Sequence, residues 1–331
     1  MNALSFALRY RVGFILVATL VLATVLVPGF FSLITLGLGL DRAATTGLIA
    51  IGLTVLLISG QIDLSGGAVF AVSGIVAIVL QPTLGIGVAA FVGVLAGALA
   101  GVINGILVVR MGVNSLVATL ASMLVFRSVA HWLTNSQPVT GIDMMFSLTI
   151  SQIYLEIFTI RSALFLIAIV ALHFWLVYTV SGRNLFAVGS NPVAAEASGI
   201  DSRKIFFRGF VFASTLAGIA GVLQSLSTNT GSPVFGADLT VVVIAAVVVG
   251  GTRIEGGRGS ALGTLGGILT IASLTTAMEF QSVPAYVQQV VSGLILILLV
   301  VLDRNVRTKS LASPEFPGRS FTKSIIKGGN Q

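Results

Sequence analysis

Two stretches of this sequence, residues 12 to 40 and 64 to 109, carry no charged side chain. Each is longer than the ~20 residues that an α-helix needs to cross the hydrocarbon of a bilayer. Composition extends the point to the whole chain: of 331 residues 56% are hydrophobic and 9% charged, against roughly 25% charged in soluble domains. Lipid is therefore the expected solvent. There every backbone N–H and C=O must be paired within the protein, and the apolar runs are too continuous for the alternation of a barrel strand. The expected fold is all-α, a polytopic transmembrane helical bundle.

Threading the chain by hydropathy places spans at 12–31, 43–60, 66–81, 84–109, 114–134, 162–180, 206–226, 239–251, 260–278 and 286–302. The expectation is about ten spans, with eight as the lower bound. The runs at 66–81 and 239–251 are short and flanked by glycine, as in broken or re-entrant helices that open backbone groups to a pathway. An even count puts both termini on one side, and the cations then divide 15 to 3, with only Arg42, Arg127 and Arg161 opposite the termini. Cytoplasmic loops carry the excess of Lys and Arg, so cytoplasmic termini are expected. Residues 1–303 make the transmembrane domain, with a cytoplasmic loop at 181–205, and 304–331 read as a flexible basic tail. Arg9 and Arg11 precede the first apolar run, which continues through Phe31 without a small-residue cleavage site. That is the pattern of a retained signal anchor.

The net charge of +7 is accounted for by these loops and the tail, so nucleic acid is not the expected partner. The absence of cysteine removes disulfides, thiolate metal sites and thiol nucleophiles. No Lys completes a glycine-rich phosphate loop, so ATP is not bound in that way. None of the six Ser-Gly pairs has glycine two residues earlier, as an intramembrane serine protease would want. The two histidines, His131 and His173, fall on separate spans, and no metal site is expected. No acidic residue stands clearly at mid-depth, which argues against ion-driven transport.

Gly93, Gly97, Gly101 and Gly105 recur every fourth residue, a stripe that lets another backbone approach closely, whether within the bundle or across a dimer seam. Gly263, Gly266 and Gly267 read the same way. Gly97 to Gly105 loosely resembles Ala217 to Gly221, a faint hint of internal repetition. Polar residues in or at the ends of the spans, Asn104, Asn114, Ser115, Thr119, Ser122 and Gln224, either line a path or join helices. Arg127 and His131 share one helix face, at an interface or along a cavity.

Three polar segments interrupt the apolar background. Residues 59–67 read SGQIDLSGG, where Asp63 or Ser65 would cap the following helix. Residues 250–260 read GGTRIEGGRGS, too glycine-rich to be helical. The third lies in the loop 181–205. Asn191 suits an N-cap, Pro192 the first helical turn and Gly199 the left-handed position past the end, with Ala195, Glu196 and Ala197 as helix formers between. A loop that only joins two spans has no need of a self-capped helix; a docking site for a cytoplasmic partner does.

With these motifs the sequence resembles the permease subunits of bacterial sugar-type ATP-binding-cassette importers, the ribose, xylose and arabinose branch that includes autoinducer-2 permeases. The resemblance covers about residues 12 to 303. It rests on Asp63, Ser65 and Gly66 in the first motif; on Gly189, Asn191, Ala194, Ala195, Ser198, Gly199 and Ile200 in the second; and on Gly250, Gly251, Gly256, Gly257 and Gly259 in the third. The family usually has Gly where Gln61 stands, and often Val where Gly66 stands. The resemblance implies an inner-membrane, multi-pass translocation subunit that is not an enzyme, pairs with a second copy or paralogue, and receives a sugar or sugar-like solute from a periplasmic binding protein. ATP and Mg would be held by separate ATPase subunits, with no cofactor on this chain. Residues 191–200, with Glu196, would be the coupling helix seated on the ATPase, and Gly189 belongs to the same coupling motif. Independently of the resemblance, Asn104, Asn114, Thr119, Arg127 and Gln224 are the pathway candidates by their polarity within the spans; on the resemblance, 135–160, with Asp143 and Glu156, would face the binding protein. A self-sufficient secondary transporter or channel is the alternative.

Overall fold

A computed structural model describes residues 11–294 apart from 285 and 292. The tail 304–331 and most of the expected span at 286–302 lie outside the described residues. Among these, six helices are long and apolar enough to cross a membrane: Leu33–Ile58, Gln81–Arg110, Ser115–Leu133, Ile160–Tyr178, Ser202–Thr228 and Ala261–Phe280. The described chain is overwhelmingly helical, as lipid solvation demands.

In chain order the elements are α1 (Arg11–Leu26), α2 (Leu33–Ile58), α3 (Gly66–Val79), α4 (Gln81–Gly105) continued by a π-helical turn (Ile106–Arg110), and α5 (Ser115–Leu133). There follow β1 (Val139–Thr140), α6 (Met144–Ile150), α7 (Ile160–Tyr178), α8 (Val180–Ser190), α9 (Pro192–Ala197), α10 (Ser202–Thr228), β2 (Thr230–Gly231), α11 (Leu239–Val249) and α12 (Ala261–Phe280). The two short strands pair antiparallel, Val139 with Gly231 and Thr140 with Thr230. They mark one end of the bundle, called here the hairpin end; α8 and α9 mark the other, the loop end.

Caps explain several boundaries. Ser32 accepts from Thr35 N at the start of α2, Thr159 and Ser162 form a reciprocal capping box at α7, Asp201 caps α10 and Ser260 caps α12. Each satisfies backbone donors that lipid could not.

Helix α2 is the axis of the bundle. Buried residues occupy 78% of its apolar window, against 28% for α4, α5 and α7. An apolar helix buried all round must be surrounded by other helices, and α10, α12, α7 and α11 all pack on α2.

The helix boundaries depart from the hydropathy reading in two informative ways. Helix α2 begins at Leu33, ten residues before the expected 43, so Asp41 and Arg42 lie inside a helix. Hydropathy alone penalises charges there, but each is paired, Asp41 with Arg161 and Arg42 with Glu279. Helix α10 likewise starts at Ser202 and not at 206, because Asp201 supplies the cap. The expectation of two short spans holds. Helices α3 and α11 have 14 and 11 residues, about 21 and 16 Å at 1.5 Å per residue, less than the ~30 Å of a hydrocarbon core. Non-helical segments, 59–65 and 232–238, precede them.

The glycine stripe of α4 packs within the chain. A methyl carbon on Gly97 would lie 2.8 Å from Gly218 Cα of α10, one on Gly101 2.6 Å from Phe210 O, and one on Gly93 2.6 Å from Ser73 O of α3. The small-residue segments of α4 and α10 that look like faint repeats are thus partners across one helix interface. On α12, Gly263 faces Gly250, Gly267 faces Ala246, and Gly266 faces Val12 of α1.

Gly97→Leu should therefore force α4 from α10 and destabilise the purified protein by on the order of 1–3 kcal/mol. Gly87→Leu, at a position with nothing within 4 Å, should be near neutral. Thermal unfolding followed by intrinsic tryptophan fluorescence separates the two.

Candidate functional site

The loop between α7 and α10 folds as its residues dictate. Thr179 ends α7 and caps α8, accepting from Gly182 N at 3.0 Å. Asn191 then turns the chain in extended conformation and accepts from Ala194 N at 3.1 Å, starting α9 with Pro192 in its first turn. The helix closes on Gly199, whose φ of +82° suits a residue without a side chain. Its N–H donates to Glu196 O at 2.9 Å, and Ile200 N donates to Ala195 O at 3.0 Å. Only Ala195 of α9 is buried; Val193 is 78% exposed and Glu196 points outward from the bundle surface. The result is a short rigid knob, self-capped at both ends and proud of the loop end.

Its base is a backbone junction that the sequence alone did not reveal. Gly189 lies so close to Ile58 O and to Gly257 N that no side chain fits there. Gly257 N donates to Ile58 O at 2.9 Å. A methyl carbon on Gly256 would lie 2.7 Å from Gly189 O and 2.9 Å from Gly60 Cα. The three polar segments, 59–67, 189–200 and 250–260, thus converge on one contact of Ile58 to Gly60, Gly189 to Ser190 and Gly256 to Gly257.

A family model for the branched-chain amino acid transport system / permease component matches residues 35–300. The chain belongs to this permease family. The ribose import permease protein RbsC of Bacillus subtilis (strain 168) is 33% identical over 290 residues, 86% of this chain and 89% of that protein. RbsC of Escherichia coli (strain K12) is 33% identical over 302 residues, 87% of this chain and 92% of that protein. The L-arabinose transport system permease protein AraH of the same organism is 31% identical over 302 residues, 89% and 90% respectively. The resemblance to sugar-importer permeases carried by the three motifs is thereby confirmed across most of the chain. No solved structure matches.

Within this permease, Asp63 anchors a buried polar cluster. Ser65 donates to Asp63 Oδ1 through its backbone N–H at 2.7 Å and its hydroxyl at 2.6 Å. Asn104 Nδ2 donates to Ser65 Oγ at 2.8 Å, and Ser214 Oγ to Asp63 Oδ2 at 3.4 Å. Leu64 N donates to Thr119 Oγ1 at 3.1 Å. This corrects the capping expectation: Ser65 stands at the N-cap position of α3, but neither its side chain nor that of Asp63 caps the helix. Thr240 of α11 takes that role from a distance, accepting from Gly67 N at 2.9 Å. The two short helices are thus tied start to start.

The pathway candidates bond in different parts of the bundle. Asn104 and Thr119 belong to the Asp63 cluster, and Ser115 accepts weakly from Ile62 N beside it at 3.4 Å. Asn114 is the exposed cap of α5, accepting from Leu116 N at 2.9 Å. Arg127 donates to Pro233 O at 2.5 Å and Phe235 O at 2.7 Å, holding the non-helical segment before α11. Gln224 sits towards the hairpin end, accepting from Arg161 Nη1 at 2.8 Å. His131 shares the face of Arg127 but bonds Ser136 at 3.2 Å.

The sequence pointed to Asp63 as a cap and motif residue but placed no acidic residue clearly within the bundle. Asp41 and Asp63 both lie within the bundle, with Asp41 side chain 17% and Arg161 side chain 11% exposed. Arg161 Nε donates to Asp41 Oδ1 at 3.1 Å, Arg161 Nη2 pairs with Asp41 Oδ2, and the Thr159 hydroxyl adds a third bond. The available signal was an Asp and an Arg near the starts of two apolar runs, at Asp41 and Arg161. Among the described residues no group of three metal-ligating side chains converges.

At the loop end, Asp201 is held below the usual carboxylate range, first by the Lys204 backbone N–H it accepts at 3.0 Å and then by the Lys204 ammonium. The cap of α10 therefore stays charged at neutral pH and weakens only as acid titrates it.

Asp63→Ala should strand the Ser65 N–H and hydroxyl in a buried site and cost on the order of 1–3 kcal/mol. Ser214→Ala, which removes only the long bond, should cost less. Chemical or thermal unfolding of the two purified variants gives the comparison.

Proposed function

We propose that this chain is the translocation subunit of an ATP-driven importer, taking up a sugar or sugar-like solute and energised by a separate ATPase. The observation that carries the reading is the α9 knob, a helix of six residues that packs little into its own bundle yet is capped at both ends and seated on a junction of three backbones. Rigidity at an exposed helix is useful where force is received from another protein. The family and the sugar-importing relatives supply the class of solute.

On this reading the loop end is cytoplasmic, with the termini beside it and about ten spans in a bacterial inner membrane. Residues 191–200 sit in a cleft of the ATPase, which holds ATP and Mg, and Glu196 is the acidic group of that contact. A second copy or a paralogue completes the pathway. At the hairpin end, Met144, Met145 and Leu155 are 62%, 72% and 85% exposed on the 135–160 segment, which fits a docking surface for a periplasmic binding protein. ATP-driven movement of α9 is transmitted through Gly189 to Ile58 of the axial helix α2 and through Gly257 to the segment between α11 and α12. It biases the bundle between two states.

A self-sufficient carrier loses support because the intramembrane acids are already committed, Asp41 to Arg161 and Asp63 to Ser65, Asn104 acting through Ser65. Vanadate should abolish uptake and an uncoupler should not.

Glu196→Lys and Gly199→Val should leave the protein in the membrane while lowering uptake and solute-stimulated ATP hydrolysis of the assembled transporter on the order of 5–150-fold, the range of a coupling free energy of 1–3 kcal/mol. Wild-type rates in both variants would overturn the coupling role. Turnover of ATP by the purified chain alone would overturn the assignment of hydrolysis to a partner.

A further inference from the structure

Helices α7 and α10 both pack on α2 and leave a groove between them, closed at the loop end by α8. It encloses about 660 Å³, within the range of small-molecule sites. Ile51 and Val55 of α2 form its floor, Leu172 and Trp175 of α7 one wall, and Phe212 and Leu216 of α10 the other. The walls are apolar, and the groove opens onto the flank of the bundle.

One end of the groove is different. Ser181 and Asn184 of α8 and Arg208 of α10 line it there, and among the described residues none of the three side chains makes a hydrogen bond or ion pair. Arg208 also borders a second recess of about 600 Å³ that contains Arg110 and Arg203. The level of this polar end is marked by Tyr178, 69% exposed at the last turn of α7 and stacked on Phe174 at 5.7 Å. Exposed tyrosines at helix ends sit where hydrocarbon meets headgroups.

We infer that this groove is a binding site for one anionic membrane phospholipid, with an acyl chain along α7 and α10 and the phosphate on Arg208, Ser181 and Asn184. The charge decides the occupant. An apolar slot ending in an unpaired guanidinium and two free polar side chains, at headgroup depth, matches a molecule that is hydrocarbon at one end and anionic at the other. Eight residues of α10 separate Arg208 from Leu216, about 12 Å of groove, enough for a large part of a fatty acyl chain. The last described residues do not compete, since Gln289 bonds Asp238 beside α11. Because α8 closes the groove and carries α9, the lipid braces the loop that bears the knob.

The test uses the full chain purified from membranes and returned to vesicles of phosphatidylcholine with phosphatidylglycerol. Native mass spectrometry should show one phosphatidylglycerol retained per chain in preference to phosphatidylcholine. Arg208→Gln should lower that preference about fivefold, the worth of one cation near a lipid surface, while Arg183→Gln, an exposed charge of α8 outside the groove, should not. Ala171→Trp, which fills the groove from α7, should release both lipids. A phosphatidylglycerol with a photoreactive acyl chain should label α7 and α10 within residues 168–175 and 205–216. Equal retention by Arg208→Gln and wild type, or labelling confined to other helices, would overturn the inference. So would protection of the groove by residues 295–331 of the chain itself, read as labelling that appears only after their removal.

Discussion

Close approach of backbones, with no side chain between, is the contact on which this bundle depends. Inside a bilayer the lipid tails are as apolar as leucine, so burying leucine against leucine gains little, and helices hold together by packing density and polar bonds. The glycines on the helix faces of α4, α10 and α12 are placed accordingly. On α4 they bring the helix against α3 and α10; on α12 they seat it on α11 and α1. Around α2 the same device gives an axial helix buried on nearly every side, which in turn fixes where every peripheral helix can lie.

Such packing leaves no slack for broken helices unless their free polar groups are met from elsewhere. Both short helices are treated alike. The segment before α3 is held by Thr119, Ser115 and the Asp63 cluster, and the segment before α11 by Arg127. Thr240 then serves α3 across the gap. These polar residues thus bond the two segments to neighbouring helices.

What could be read from the residues beforehand follows from how local each signal is. The capping of α9 by Asn191, Pro192 and Gly199 was legible because it involves neighbours in sequence, and so were the shortness of α3 and α11. The start of α2 was not, because hydropathy treats Asp41 and Arg42 as two costs, whereas in the bundle each is cancelled by a partner on another helix more than a hundred residues away. The function of Ser65 was misread for the same reason: a cap is a local expectation, and Thr240 stands 173 residues from Gly67. The three motifs were each legible by themselves, two as turns and one as a capped helix, but nothing local says that they touch.

That they touch gives the loop its mechanical meaning. A knob on a flexible loop would absorb any displacement applied to it. Here Gly189 is wedged against the carbonyl of Ile58, the last residue of α2, and against Gly257 of the segment leading into α12. A backbone contact without side chains has no rotamers to yield, so a displacement carried through Asn191 to Gly189 would press directly on α2 and on the segment leading into α12. Since α2 is buried over most of its length and packs on α7, α10 and α11, its movement would press on all three. The glycines that allow the helices to pack are thus also what would make the bundle stiff enough to be driven from one short helix.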